Sequence, residues 1–193
     1  MRTAHKPTYS YLILTIALIL INMLVARYVA IRTPYWDSIL PIFYPAVVLM
    51  ILFTLWFGAY GAIAAYIGCF AGAGLLAGIP PDVALYWSFA DLFQVLIPLA
   101  AVRILQVNPD LRTRRDLLCM FLFAVLINNA VGAAWGAVTL AIGNVISWGE
   151  VVPLFAGWFT GNAILTTLLL LPALYFLTPA VRGSRLFVRE FWN

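Results

Sequence analysis

Charge is what this sequence has least of. Only 9% of its 193 residues are Asp, Glu, Lys or Arg, against roughly 25% in an average soluble chain. So sparse a set cannot cover a water-facing surface, which excludes an ordinary soluble globular domain. Histidine is nearly absent. The single one, His5, sits in a polar N-terminal tail, so a histidine-based metal site or proton relay in the apolar core is excluded. Cysteine is limited to Cys69 and Cys119, both inside apolar runs and without metal-type spacing; they read as buried thiols. Catalytic signatures are missing too. There is no GxSx pattern, no GxGD pair, no HExxH, no paired acidic motif for phospho-alcohol transfer and no intramembrane lysine. An enzyme is not expected, and no cofactor or metal is implied.

What the chain has in abundance is apolar sequence: 65% hydrophobic residues and a mean hydropathy of +1.02. At ~20 to 25 residues per spanning helix, that length makes six crossings and little else. The expectation is an all-α fold, an integral membrane bundle of six transmembrane helices in a single domain. The spans are read at about 9–31, 37–57, 59–78, 83–104, 117–142 and 151–177. Gly58 and Gly61 mark a tight break between the second and third. Pro80-Pro81-Asp82 stops one helix and can cap the next. Asn108-Pro109-Asp110 opens the one clearly polar loop. The first run is longer than a signal-peptide core, and Arg27 stands where small cleavage residues belong, so it reads as a retained span.

Lys and Arg placement sets the expected orientation. Arg2, Lys6, Arg103, Arg112, Arg114, Arg115, Arg182, Arg185 and Arg189 fall on one side of a six-span arrangement, and Arg27 and Arg32 toward the other. Both termini are therefore expected in the cytoplasm, with the chain in the plasma membrane. The net charge of +4 follows from this topology and carries no expectation of nucleic-acid binding. The lipid bilayer is the first partner.

Helices in lipid associate through small residues that permit close approach. Ala64, Gly68 and Gly72 form the longest such stripe; Gly132 with Gly136, and Gly157 with Gly161, form shorter ones. They serve packing within the chain, or, for the Ala64–Gly68–Gly72 stripe, docking of a partner membrane subunit. Pro98 frees the carbonyl of Gln94, and Pro172 that of Leu168; inside a membrane each needs another donor.

Polar side chains gather at mid-depth. Trp87, Ser88, Asp91, Gln94 and Pro98 share one face of the fourth span. Asp91 is the only acidic residue deep in any span and lies ~14 Å from either end at ~1.5 Å per residue. Asn128, Asn129 and Trp135 belong to the fifth span, and Trp158, Asn162 and Thr166 to the sixth. A carboxylate at bilayer centre costs at least ~2.5 kcal/mol and should face the bundle interior with a partner. Two readings stay open. One is a structural knot in which Asn128, Asn129, Asn162 or Gln94 bonds Asp91. The other is a binding site for a small molecule or ion, formed by Asp91, Gln94, Asn128, Asn129 and Asn162 and walled by Trp87, Trp135 and Trp158.

The stretch Leu55-Trp56-Phe57-Gly58-Ala59-Tyr60-Gly61-Ala62, with the small residues to Gly78 and the turn Ile79-Pro80-Pro81, resembles the substrate-binding S components of energy-coupling-factor vitamin transporters. That resemblance implies six helices, cytoplasmic termini and high-affinity binding of a vitamin-like nutrient, with a transmembrane partner subunit and two ATPases driving uptake. It also implies ligand contacts from the outer halves of the fourth to sixth helices and the loop around Thr33 to Asp37. The last span, Trp158-Phe159-Thr160-Gly161-Asn162 through Leu171-Pro172, is similar to the MASE1-type sensory membrane domain, which implies a ligand-sensing role upstream of a signalling domain. A third reading is a non-catalytic accessory subunit of a larger membrane complex.

Overall fold

A proline and a glycine set the start and end of the central helix. Pro45 (φ −59°) stands at the N-cap of Ala46–Phe57, and Gly58 ends the helix with φ 60° and ψ −135°, a backbone region that only glycine enters without strain. The computed structural model describes residues 9–30 and 43–192. It folds into six helices: α1 (Tyr9–Tyr28), α2 (Ala46–Phe57), α3 (Ala59–Ala77), α4 (Pro81–Ile104), α5 (Arg114–Ile142) and α6 (Trp148–Arg182). Among the described residues there is no strand. Five of the helices are long and apolar enough to cross a membrane, and α2 is shorter. Residues 37–42 of the second expected span, and the Thr33–Asp37 loop with them, lie outside the described residues.

The expected starts move by a few residues for local reasons. Pro81 begins α4 as its first helical residue, where its missing N–H costs nothing, and Asp82 lies in the first turn without capping through its side chain. Thr113 caps α5 by accepting from the Asp116 N–H at 3.1 Å. Ser147 and Glu150 form a capping box at the start of α6. Three short π-helical stretches interrupt the long helices, at Phe70–Gly74 in α3, Leu122–Ile127 in α5 and Thr166–Leu170 in α6. The last of these ends two residues before Pro172.

Nearly every residue of α2 is apolar, and nine of its twelve are buried; a helix that is hydrophobic all round belongs in the middle of a bundle. It packs against α1, α3, α4 and α6. The periphery is the reverse of a soluble protein. Leu12, Ile13, Leu24, Leu118, Leu168 and Phe176 are exposed, while Asn22, Gln94, Asn128, Asn129 and Asn162 are sealed inside. An apolar outside over a polar inside is the arrangement a lipid solvent favours.

The Ala64–Gly68–Gly72 stripe is filled by this chain's own α1. A side chain at Gly68 would lie 2.6 Å from the Asn22 amide, and one at Gly72 would strike the backbone of Met23. Asn22 donates to the Ala65 carbonyl at 3.3 Å. In this fold the stripe brings α1 against α3 and offers no open docking face.

Beyond α6 the chain turns back beneath the α2–α3 junction. Val188 N–H donates to the Trp56 carbonyl at 2.9 Å, and Ala59 N–H to the Phe191 carbonyl at 2.9 Å. Trp192 meets Tyr60 edge-on at 5.2 Å, and Tyr60 stacks on Tyr11 at 4.7 Å. Gly58 makes this possible, since a Cβ there would sit 2.8 Å from Val188 and against the Phe191 carbonyl. Gly58→Ala is therefore expected to cost about 1–3 kcal/mol in backbone strain and to release the C-terminal segment. Limited proteolysis should then cut at Arg185 or Arg189 before the helices are touched. An unchanged cleavage pattern and melting temperature would contradict that account.

Candidate functional site

Asp91 is 1% exposed, and its partner comes from the segment just before α2 rather than from the amides of α5 and α6. The Tyr44 hydroxyl donates to Oδ2 at 3.0 Å. The buried Cys69 thiol of α3 lies near the same carboxyl group. Ser88, three residues earlier on α4, turns its hydroxyl to the Ala84 carbonyl at 2.6 Å. Tyr44 and Cys69 were not among the sequence-derived site residues. The available signal for Tyr44 was a phenol beside Pro45, at the head of an otherwise apolar helix; Cys69 carried none beyond burial.

The amides form a second, separate network. Gln94 donates to Asn129 Oδ1 at 2.7 Å, and Asn129 donates to the Val125 carbonyl at 2.8 Å and to Thr166 Oγ1 at 3.1 Å. Thr166 in turn donates to the Asn162 carbonyl at 2.7 Å. Asn128 donates to the backbone carbonyl of Gln94 at 3.3 Å. That carbonyl is the one Pro98 leaves without its helical partner, so the proline and the asparagine answer each other across the α4–α5 contact. Gly132 makes the contact close, since a Cβ there would strike the Gln94 side chain. The π-helical turns at Leu122–Ile127 and Thr166–Leu170 flank this network. Such turns re-aim side chains by shifting the helical register.

A third group adjoins the second through Asn162. Trp87 and Trp158 face one another with ring centroids 5.9 Å apart. Trp158 fits against α5 only because Gly136 has no side chain in its way. Asn162 lies one turn after Trp158 on α6. The two tryptophans and Asn162 are 3%, 7% and 0% exposed, and all three carry unpaired polar atoms. The indole N–H groups of Trp87 and Trp158 and both amide atoms of Asn162 have no hydrogen-bond partner; neither do Gln94 Oε1 and Asn128 Oδ1. Because both amide atoms of Asn162 are open, its two flipped orientations are equivalent in this respect: one donor group and one acceptor remain.

Trp135 does not join them. It is 40% exposed and donates to the Tyr86 carbonyl at 2.8 Å, with Phe93 packed edge-on at 5.1 Å. It staples α5 to the first turns of α4 from outside. Of the eight residues expected at one site, the structure brings six together: Trp87, Trp158, Asn162, Gln94, Asn128 and Asn129. Asp91 is turned toward α2 and α3, and Trp135 toward the outer surface.

An all-helical chain with five apolar helices of membrane-crossing length, closed around buried amides and indoles, has the features of a membrane protein with a polar interior. Compared with protein-family models, curated proteins and solved structures, the chain shows no significant match.

Proposed function

We propose that the protein is a six-span, membrane-embedded binding subunit that takes up a small, vitamin-like nutrient, with its ligand held between α4, α5 and α6. The observation that carries this reading is the set of unpaired buried atoms on Trp87, Trp158, Asn162, Gln94 and Asn128. Leaving a buried polar group unsatisfied costs about 1–3 kcal/mol, and helix association alone does not require that cost. Polar glue is already supplied by the Gln94–Asn129–Thr166 chain, which is bonded internally.

The open atoms describe their ligand. Three donor groups and three acceptors, with two indole faces and no cation among them, fit an uncharged, flat ring that bears both N–H or O–H groups and carbonyls or ring nitrogens. Trp87 lies ~9 Å along α4 from Pro81 at ~1.5 Å per residue, so the indole side of the site is nearer the end of the bundle opposite the arginine-rich loop. By Lys and Arg placement that end is extracellular, the side from which a nutrient arrives. The arrangement agrees with the role the S-component resemblance implies, in which a transmembrane subunit and ATPases complete the transporter.

Native mass spectrometry of the protein, taken gently from its own membrane, tests the reading. A nutrient-sized molecule retained by the wild type and lost in Trp158→Phe, which keeps the ring and removes the N–H, supports it. A protein that arrives empty but stoichiometrically bound within a larger assembly overturns it in favour of an accessory subunit.

A further inference from the structure

At the opposite end of the molecule, a cavity of about 440 Å³ lies between the last turn of α4, the loop after it, the end of α6 and the C-terminal segment. Its wall includes Arg103, Gln106, Asn108, Arg182, Phe187 and Arg189. Three guanidinium groups at one cavity are unusual in a chain with so few charges, and they are not equivalent. Arg182 is committed: it pairs with Asp110 Oδ2 at 3.0 Å and donates to Asn108 Oδ1 at 2.8 Å. Its role is to hold the loop in place. Arg103 donates through Nη2 to the Val188 carbonyl at 2.8 Å, yet its Nε is buried and has no acceptor. Arg189 makes no hydrogen bond or ion pair among the described residues and is exposed to the cavity.

The carboxylates nearby do not cancel this. Asp110 is engaged by Arg182 and is not part of the wall. Glu190 lies close enough to Arg103 for their charges to interact. Asp116, which accepts from the Asn108 N–H at 3.0 Å, is a third carboxylate and is balanced by the neighbouring charge of Arg115, so four cations against three carboxylates leave one positive charge in excess. It is also larger than a lone oxyanion needs, given the roughly 30 Å³ one water occupies in the liquid. Beside it, Phe191 and Trp192 are half exposed, as amphipathic rings are where a bilayer meets water.

We infer that this cavity binds a phosphate group, with Arg103 and Arg189 as its ligands and an anionic phospholipid of the adjoining leaflet as its bearer. A phosphate offers several acceptor oxygens to separate guanidinium groups, and the planar fork of arginine matches two of them at once. The lipid source rests on the membrane-embedded reading, with this end at the cytoplasmic leaflet; the phosphate chemistry does not.

The experiment uses the full chain in detergent, titrated separately with phosphatidylglycerol, phosphatidylcholine and inorganic phosphate. Binding is followed by native mass spectrometry and by thermal stabilisation. Phosphatidylglycerol is expected to be retained in preference to phosphatidylcholine. Its apparent affinity should fall about tenfold in Arg189→Gln, the worth of one charge-assisted hydrogen bond, and remain unchanged in Trp158→Phe. Arg103→Gln should behave like Arg189→Gln, and the exposed position of Arg189 keeps the test informative if Arg103→Gln fails to fold. Binding of inorganic phosphate without lipid preference would keep the anion site and assign it a soluble phosphate. Equal retention of both lipids with no phosphate effect, or wild-type affinity in Arg189→Gln, would overturn the proposal. Neither result bears on the nutrient site, which uses other residues.

Discussion

Asn162→Leu is expected to make the ligand-free protein more stable while abolishing ligand retention. Its amide is 0% exposed and neither side-chain atom has a partner. Each unsatisfied group costs about 1–3 kcal/mol when buried, and leucine of similar volume carries no such cost. A gain of about 1–2 kcal/mol should appear as a higher melting temperature in detergent. Retention of the co-purified molecule should fall at least about tenfold, since a site built around an amide rejects a ligand whose groups are left unpaired. The two readouts move in opposite directions, which a purely structural residue cannot produce. A destabilised Asn162→Leu would show that the amide supports the fold through partners of its own, and the open-site reading would fail with it.

The largest loss of stability is expected from Gly132→Val, at about 3 kcal/mol, and the reason is steric. A Cβ at this position strikes the Gln94 side chain, so α4 and α5 must separate or Gln94 must leave its bond to Asn129. Overpacking of this kind typically costs about 1–3 kcal/mol, and here the lost hydrogen bonds add to it. The hydrogen bonds themselves are the smaller term. Interhelical bonds measured in membrane bundles average about 0.6 kcal/mol, with a maximum near 1.7. Asn129→Leu, which removes the hub of the network without adding bulk at the contact, should therefore cost only about 1 kcal/mol. Chemical or thermal unfolding of the two variants side by side decides the matter. If Asn129→Leu proves the more damaging, hydrogen bonding and not close approach holds α4 to α5.

The helices were legible because lipid leaves the backbone few options. Apolar runs bounded by Pro80-Pro81, Asn108-Pro109 and Gly143-Asn144 fix where helices can begin and end, and the end of α3, both ends of α4 and α5, and the start of α6 fall within a few residues of those breaks. The Gly58 break was equally visible, as a glycine pair inside an apolar stretch. The local consequence of Pro98 could also be read. A missing N–H frees one particular carbonyl, that of Gln94, and nearby asparagines are the available donors. The depth of Gln94, Asn128, Asn129 and Asn162 followed from counting residues at a known rise per residue.

What counting could not supply was azimuth and neighbour. A residue's level on a helix follows from sequence, but the helix it faces depends on how six rods are arranged around one another. Trp135 lies at a suitable level and still points outward to Tyr86, because the α5 face that packs inward is the one bearing Gly132 and Gly136. Asp91 is one turn from Gln94 yet meets Tyr44 across the bundle, because α2 occupies the centre. The Ala64–Gly68–Gly72 stripe could pack against any helix, and only the fold placed α1 there. Composition and periodicity alone therefore determined that the chain forms apolar helices with polar residues at shared depths. Tertiary packing decided which of those residues bond one another and which stay open, because close approach at glycines selects the neighbours and local sequence carries no record of them.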